Sequence, residues 1–248
     1  MEALNFPAAK QTDEAQRIQE VAIVIAAKKL SPTLVSEDFL KFGSIVPHDW
    51  EVNKQPVLAP NFSQISFDNG ISVIAQPGAI TFLQTIIAND QRLAIPEIAR
   101  RYVQKLPGAE YQTCEINPKI LVPFLNQPSA AGTYITETLL APGPWQKISE
   151  GSLPTGIDLT YQLARCQFKL SVNSARLQSQ KSTITALLFS GSFNYIINND
   201  PQERLLHLEK LIENGSNDWN TFRDMIDQKF LWGGEADKSI IPNPLFTQ

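Results

Sequence analysis

The residues of this chain best suited to chemistry by type are His48, Asp49 and Glu51, in the run Pro47-His48-Asp49-Trp50-Glu51. A histidine beside carboxylates has the makings of a divalent-metal site, or of a general base with its acid partner. These three are close neighbours on a Pro-led segment, so their side chains diverge, and solvated charges around a structural Trp50 are expected. The other histidine, His207, lies between Leu206 and Leu208 and is expected at the surface on a helix flank. Nucleophilic catalysis would need a Ser or Cys paired with one of these two histidines. No G-x-S-x-G elbow occurs, and the phosphate-cradling patterns G-x-x-x-x-G-K-S/T and G-x-G-x-x-G are absent.

The two cysteines, Cys114 and Cys166, have no metal-type spacing and are too few for a disulfide framework in so long a chain. Both are expected as reduced core residues. Arg92, Arg100, Arg101 and Lys105 form a small basic helix face that could meet phosphate or nucleic acid, although a solvated face is the expected role. Paired carboxylates need no sequence motif, so an acid/base site remains open with no pair singled out. Gly78 and Gly191 read as turn glycines. No catalytic, cofactor-binding or metal-ligating residue is assigned, and no cofactor is implied.

The chain has 248 residues, 43% of them hydrophobic, enough to bury a substantial core. A net charge of −4 gives no long-range attraction for nucleic acid or an anionic membrane. No basic region followed by a long apolar run opens the sequence, so no signal peptide is read. The apolar run Val21 to Ala27 is far shorter than the roughly 20 residues of a membrane span. A cytoplasmic location is expected.

Residues 21–27 read as a buried strand, with a competing helix over 13–29, and residues 37–42 as a short helix carrying Phe39, Leu40 and Phe42 inward. Alternation on both sides of Asn69-Gly70 predicts a β-hairpin whose turn needs positive φ at both residues. After Pro77-Gly78, residues 80–87 read as the next strand. A helix is expected over 93–106, with Pro96 in its first turn and Ile98, Ala99, Tyr102, Val103 and Leu106 on its buried stripe. Residues 157–172 suggest a strand pair or one bulged strand, and residues 183–197 further strands broken near Ser190-Gly191-Ser192. Asp200-Pro201 starts a helix, ended by Asn214-Gly215, and a last helix over 218–230 buries Trp219, Phe222, Ile226 and Phe230.

Trp50 and Trp145 lie 95 positions apart (145 − 50), each beside a Pro-restricted turn and followed by strand-like sequence, an Asn-Asp pair and a Pro-led helix. This spacing predicts an α+β fold of two related halves, each antiparallel strands followed by a helix, with the Trp at equivalent places. Boundaries are expected at 18–125 for the first half, 126–231 for the second and 232–248 for an extended tail, with the Pro-rich segment 118–144 as junction. The element order resembles TATA-binding-protein-like and duplicated ferredoxin-like folds, but the basic and intercalating aromatic face of the former finds no counterpart in these residues. Pro47-His48-Asp49-Trp50-Glu51 and Ile71-Ser72-Val73-Ile74-Ala75-Gln76-Pro77 resemble a group of uncharacterised cyanobacterial soluble proteins, which implies only an intracellular protein.

The expected function is a non-catalytic protein-interaction or scaffold role, using a sheet edge or face or the tail 232–248. An enzyme with carboxylates in a cleft between the halves, and nucleic-acid binding through the Arg100-Arg101 face, are the alternatives. The partner is expected to be another protein or a second copy of the chain, with no membrane involved.

Overall fold

The computed structural model describes residues 17–87, 91–124, 128–147, 156–178, 183–198 and 200–231. Their centre is one antiparallel sheet of nine strands, in the order β2-β3-β4-β5-β1-β6-β9-β8-β7. The strands are β1 Ile18–Lys28, β2 Val57–Ala59, β3 Phe62–Ser66, β4 Ile71–Gln76, β5 Ala79–Ile86, β6 Glu110–Phe124, β7 Gly156–Gln162, β8 Gln167–Gln178 and β9 Thr183–Ile196. The helices are α1 Glu37–Phe42, α2 Ile95–Lys105, α3 Ala130–Thr133, α4 Arg204–Glu213 and α5 Gly215–Met225. One-turn π-helical segments continue α3 to Leu139 and α5 to Leu231.

The local rules behind several elements were visible in the residues. β1 carries β-branched Ile18, Val21, Ile23, Val24 and Ile25 and lies between β5 and β6, where both neighbours satisfy its backbone. The hairpin forms, with Ser66 opposite Ser72. Its turn differs from expectation: the loop is Asp68-Asn69-Gly70, closed by Phe67 N–H on the Ile71 carbonyl at 2.8 Å, and only Gly70 is left-handed, at φ +81°. Asn69 Oδ1 accepts the Ile71 N–H at 3.1 Å, an alternative to positive φ that a two-residue reading misses. Helix α2 buries Ile98, Ala99, Tyr102 and Val103 as its spacing predicts. Its start is capped from outside, by buried Gln84 of β5, whose Oε1 accepts the Ala94 N–H at 2.7 Å. The helix expected to start at Asp200-Pro201 begins later, at Arg204, and Asp200 Oδ1 accepts the Gln202 N–H at 2.9 Å in the turn that leads into it.

The five helices of the described residues lie on one side of the sheet. Tyr102 of α2 packs on Phe82 of β5 and on Phe39 of α1. A Cβ on Gly215, the first residue of α5, would lie 3.5 Å from Ile23 and Ile116 at the sheet's middle. Phe230 packs on Phe189 of β9, and its carbonyl accepts the Tyr134 hydroxyl from the π-turn after α3. One hydrophobic cluster therefore runs from Val21 to Ile226.

This architecture corrects the expected fold class of two duplicated strand-and-helix halves. Among the described residues strand outweighs helix, and the sheet is single: β6 pairs with β1 on one side and β9 on the other. Prolines caused the misreading. Pro118 and Pro123, read as part of a junction, stand inside β6, where a proline is rarely found because it lacks a ladder N–H. The β6–β9 ladder skips from Ile116–Phe193 to Lys119–Ser190 around Pro118 and resumes in the same register.

The Trp equivalence also gains no support. Trp50 stands edge-on to Phe67 at 5.3 Å and packs against the core. Trp145 sits in a 3-10 turn, its indole N–H donating to the Ala141 carbonyl four residues back. Further differences are local. Phe42 is exposed, β9 is unbroken through Gly191, and α5 begins at Gly215 with only Asn214 between it and α4. The tail 232–248 and both Asn-Asp pairs fall wholly or partly outside the described residues.

Candidate functional site

Each residue singled out above has an ordinary place. His48, Asp49 and Glu51 are exposed, and His48 stands edge-on to Phe42 at 5.7 Å. His207 Nδ1 accepts the Asn198 backbone N–H at 3.0 Å, a structural bond at the start of α4. Arg100 and Arg101 both bind Glu97, at 2.8 Å, so the basic face is partly neutralised on its own helix. Against a desolvation cost, these two arginines hold the Glu97 carboxyl below its usual range. Cys114 and Cys166 are free and buried, and burial pushes the Cys114 thiol up to about 12 and the Cys166 thiol up as well. Neither is a ready nucleophile.

The strongest polar cluster joins residues far apart in sequence. Asp218 of α5, wholly buried, accepts hydrogen bonds from Arg165 Nε at 2.9 Å, Arg165 Nη2 at 2.6 Å and the Tyr195 hydroxyl at 2.7 Å. The guanidinium also lies 5.4 Å over the Phe193 ring. Burial pushes the Asp218 carboxyl above its usual range, opposed by the hydrogen bonds from Tyr195 and Arg165. The Tyr195 phenol is pushed up by burial and by that carboxylate. A cleft of about 680 Å³ beside it is lined by Arg165, Cys166, Tyr195 and His207. With both donors committed to Asp218 and the thiol protonated, the cluster clamps α5 to the β7–β8 turn and the end of β9.

The opposite face of the sheet is different in kind, for among the described residues no helix crosses it. Its middle is a shallow trough of about 610 Å³. Val24, Ile74 and Leu83, half-buried, with Ala22 make an apolar strip across β4, β5 and β1. Alongside, on β6, β9 and β8, lie Glu115, Asn117, Lys119, Ser190, Ser192, Lys169 and Ser171. Lys119 Nζ reaches Glu20 Oε1 at 2.9 Å, and Glu115 accepts from the Asn117 and Asn194 amides at 3.4 Å. Asn117 Oδ1 is shielded from solvent and has no hydrogen-bond partner, beside the break in the β6–β9 ladder.

Glu115 lies opposite Val24, four residues along β1 from Glu20. At about 3.3 Å per residue that is roughly 13 Å of backbone, and each carboxylate is engaged by its own neighbours, Glu20 by Lys119 and Glu115 by the Asn117 and Asn194 amides. Among the described residues, no group of three or more His, Cys, Asp and Glu side chains is placed to hold a metal ion. The face offers contact surface and hydrogen-bonding groups. These residues were missed because β6 was not read as a strand. Its alternation of Cys114, Ile116 and Ile120 with Glu115, Asn117 and Lys119 was the available signal. Neither the protein-family models nor the curated proteins include a match to this chain.

Proposed function

We propose that this chain is a non-catalytic interaction or scaffold protein of the cytoplasm, and that its helix-free sheet face receives a protein partner. The observation carrying this reading is the trough itself, an apolar strip beside a polar band, spread over six adjacent strands of one sheet. An interface needs an apolar centre that excludes water and polar groups around it that fix register. The protonated, buried thiols suit a reducing compartment, and no helix among the described residues is long and apolar enough to cross a membrane. Nucleic-acid binding is less favoured, because the arginines it would use are tied to Glu97 and Glu20 and Glu115 sit on the open face.

Co-purification from native lysate tests the reading, with wild type compared against Leu83→Glu. Support would be a protein retained by wild type and lost with Leu83→Glu at unchanged thermal stability. Retention unaffected by the substitution, or no retained protein at all, would count against it.

A further inference from the structure

The two edges of the sheet are built differently. β2 is three residues long with Pro56 and Pro60 on either side, so it offers little backbone to another strand. β7 is seven residues long, without Pro or Lys, and among the described residues nothing pairs with its outer side. Its hairpin with β8 decides which groups it offers. The Leu163 N–H donates to the Cys166 carbonyl at 3.0 Å, marking that pair as hydrogen-bonded. Bonded and non-bonded pairs alternate along an antiparallel ladder. Tyr161, Leu159 and Ile157 therefore bond to Phe168, Leu170 and Val172 of β8. Gly156, Asp158, Thr160 and Gln162 aim their N–H and C=O groups outward.

The side chains divide with the same period. Ile157 and Leu159 pack against the core on the helical side, and Tyr161 stacks on Phe168 at 6.0 Å. Asp158, Thr160 and Gln162 belong to the open face, where the Asp158 carboxylate accepts the Ser171 hydroxyl.

We propose that β7 pairs antiparallel with β7 of a second copy, about a twofold axis through Leu159, so that two sheets become one. In this register Asp158 exchanges backbone bonds with Thr160 of the second copy, and Gly156 with Gln162. All four outward residues of both strands are used, giving about eight hydrogen bonds. Leu159 meets its own copy in a non-bonded pair, where side chains approach most closely, and Ile157 meets Tyr161. Asp158, the strand's one charged residue, faces a threonine. An axis at Asp158 would oppose like charges, and an axis at Thr160 would leave Gly156 unpaired. The pairing is independent of what the open face binds.

Sedimentation equilibrium across protein concentration, on wild type and three variants, tests the register. Thr160→Asp places an aspartate opposite Asp158 twice and is expected to weaken the dimer about tenfold. Asp158→Lys alone leaves it near wild type, and the double substitution restores it by opposing Lys to Asp. Leu159→Cys is expected to form an intermolecular disulfide under mild oxidation, against a background of buried native thiols. Thr160 is exposed and its N–H is not used by β8, so circular dichroism should stay unchanged in Thr160→Asp. A monomer at every concentration up to the millimolar range would overturn the proposal. So would a dimer indifferent to Thr160→Asp, or a double variant no tighter than Thr160→Asp alone.

Discussion

Phe222 of α5 lies so close over Gly191 of β9 that a Cβ at position 191 would stand 2.8 Å from its ring. The same Cβ would come within 3.1 Å of Phe168. Glycine here is the condition for α5 to settle on the sheet, and with it the Asp218 cluster. Gly191→Ala is expected to destabilise the protein by about 1–3 kcal/mol, the usual cost of overpacking. Phe222→Leu should be less damaging in the Gly191→Ala background than alone. A double-mutant cycle of denaturation free energies checks this, and simple additivity would contradict the contact.

Arg165 carries a different kind of burden. Removing it leaves the buried Asp218 with Tyr195 as its remaining donor, at an expected cost of about 3 kcal/mol, the low end for a broken buried pair because Arg165 itself reaches water. The sign of the pH dependence follows from burial. The Asp218 carboxyl has its folded pKa raised, so the stability tied to its protonated form is present at acid pH and lost as pH rises through that value. Without Arg165 that loss deepens. The drop in melting temperature of Arg165→Ala should grow between about pH 4 and pH 7, measured by thermal denaturation, and a drop independent of pH would contradict this account.

The two tryptophans should part company. Trp50 packs against Phe67 and the core, so Trp50→Ala is expected to cost about 2–3 kcal/mol, less than the about 3–5 of a fully buried Trp. Trp145 contacts its own turn, and Trp145→Ala should stay under about 1 kcal/mol, as should His48→Ala. Chemical denaturation of the three variants measures the order.

Both thiols should resist alkylation in the native protein. Cys114 is wholly buried and its thiol is pushed up to about 12, so little thiolate exists near neutral pH. Iodoacetamide labelling followed by mass spectrometry should show both cysteines modified only after denaturant is added. Rapid labelling of either in the native state would contradict their placement.

What the residues revealed was local. The β-branched run of β1, the alternation around Asn69-Gly70 and the stripe behind Pro96 each follow from the period of one element. What they concealed depends on neighbours distant in sequence. Pro118 looks like a breaker unless β1 and β9 are known to flank it and carry the ladder past it. Gly191 looks like a turn because the ring that requires it belongs to Phe222. Arg165 and Asp218 are 53 positions apart, and no pattern within either segment announces the pair. The matched Pro-Trp turns misled for the same reason: two similar local turns say nothing about which sheet surface each reaches.

Docking on the sheet face that no described helix crosses is tested most directly by photo-cross-linking from inside it. A photoreactive amino acid is placed at Thr81, within the trough, and in a second protein at Arg101 on the helical side, and each is irradiated in native lysate. A discrete covalent adduct is expected from Thr81, abolished by Leu83→Glu, and none from Arg101. Adducts from Arg101 alone, or a Thr81 adduct that survives Leu83→Glu, would contradict it.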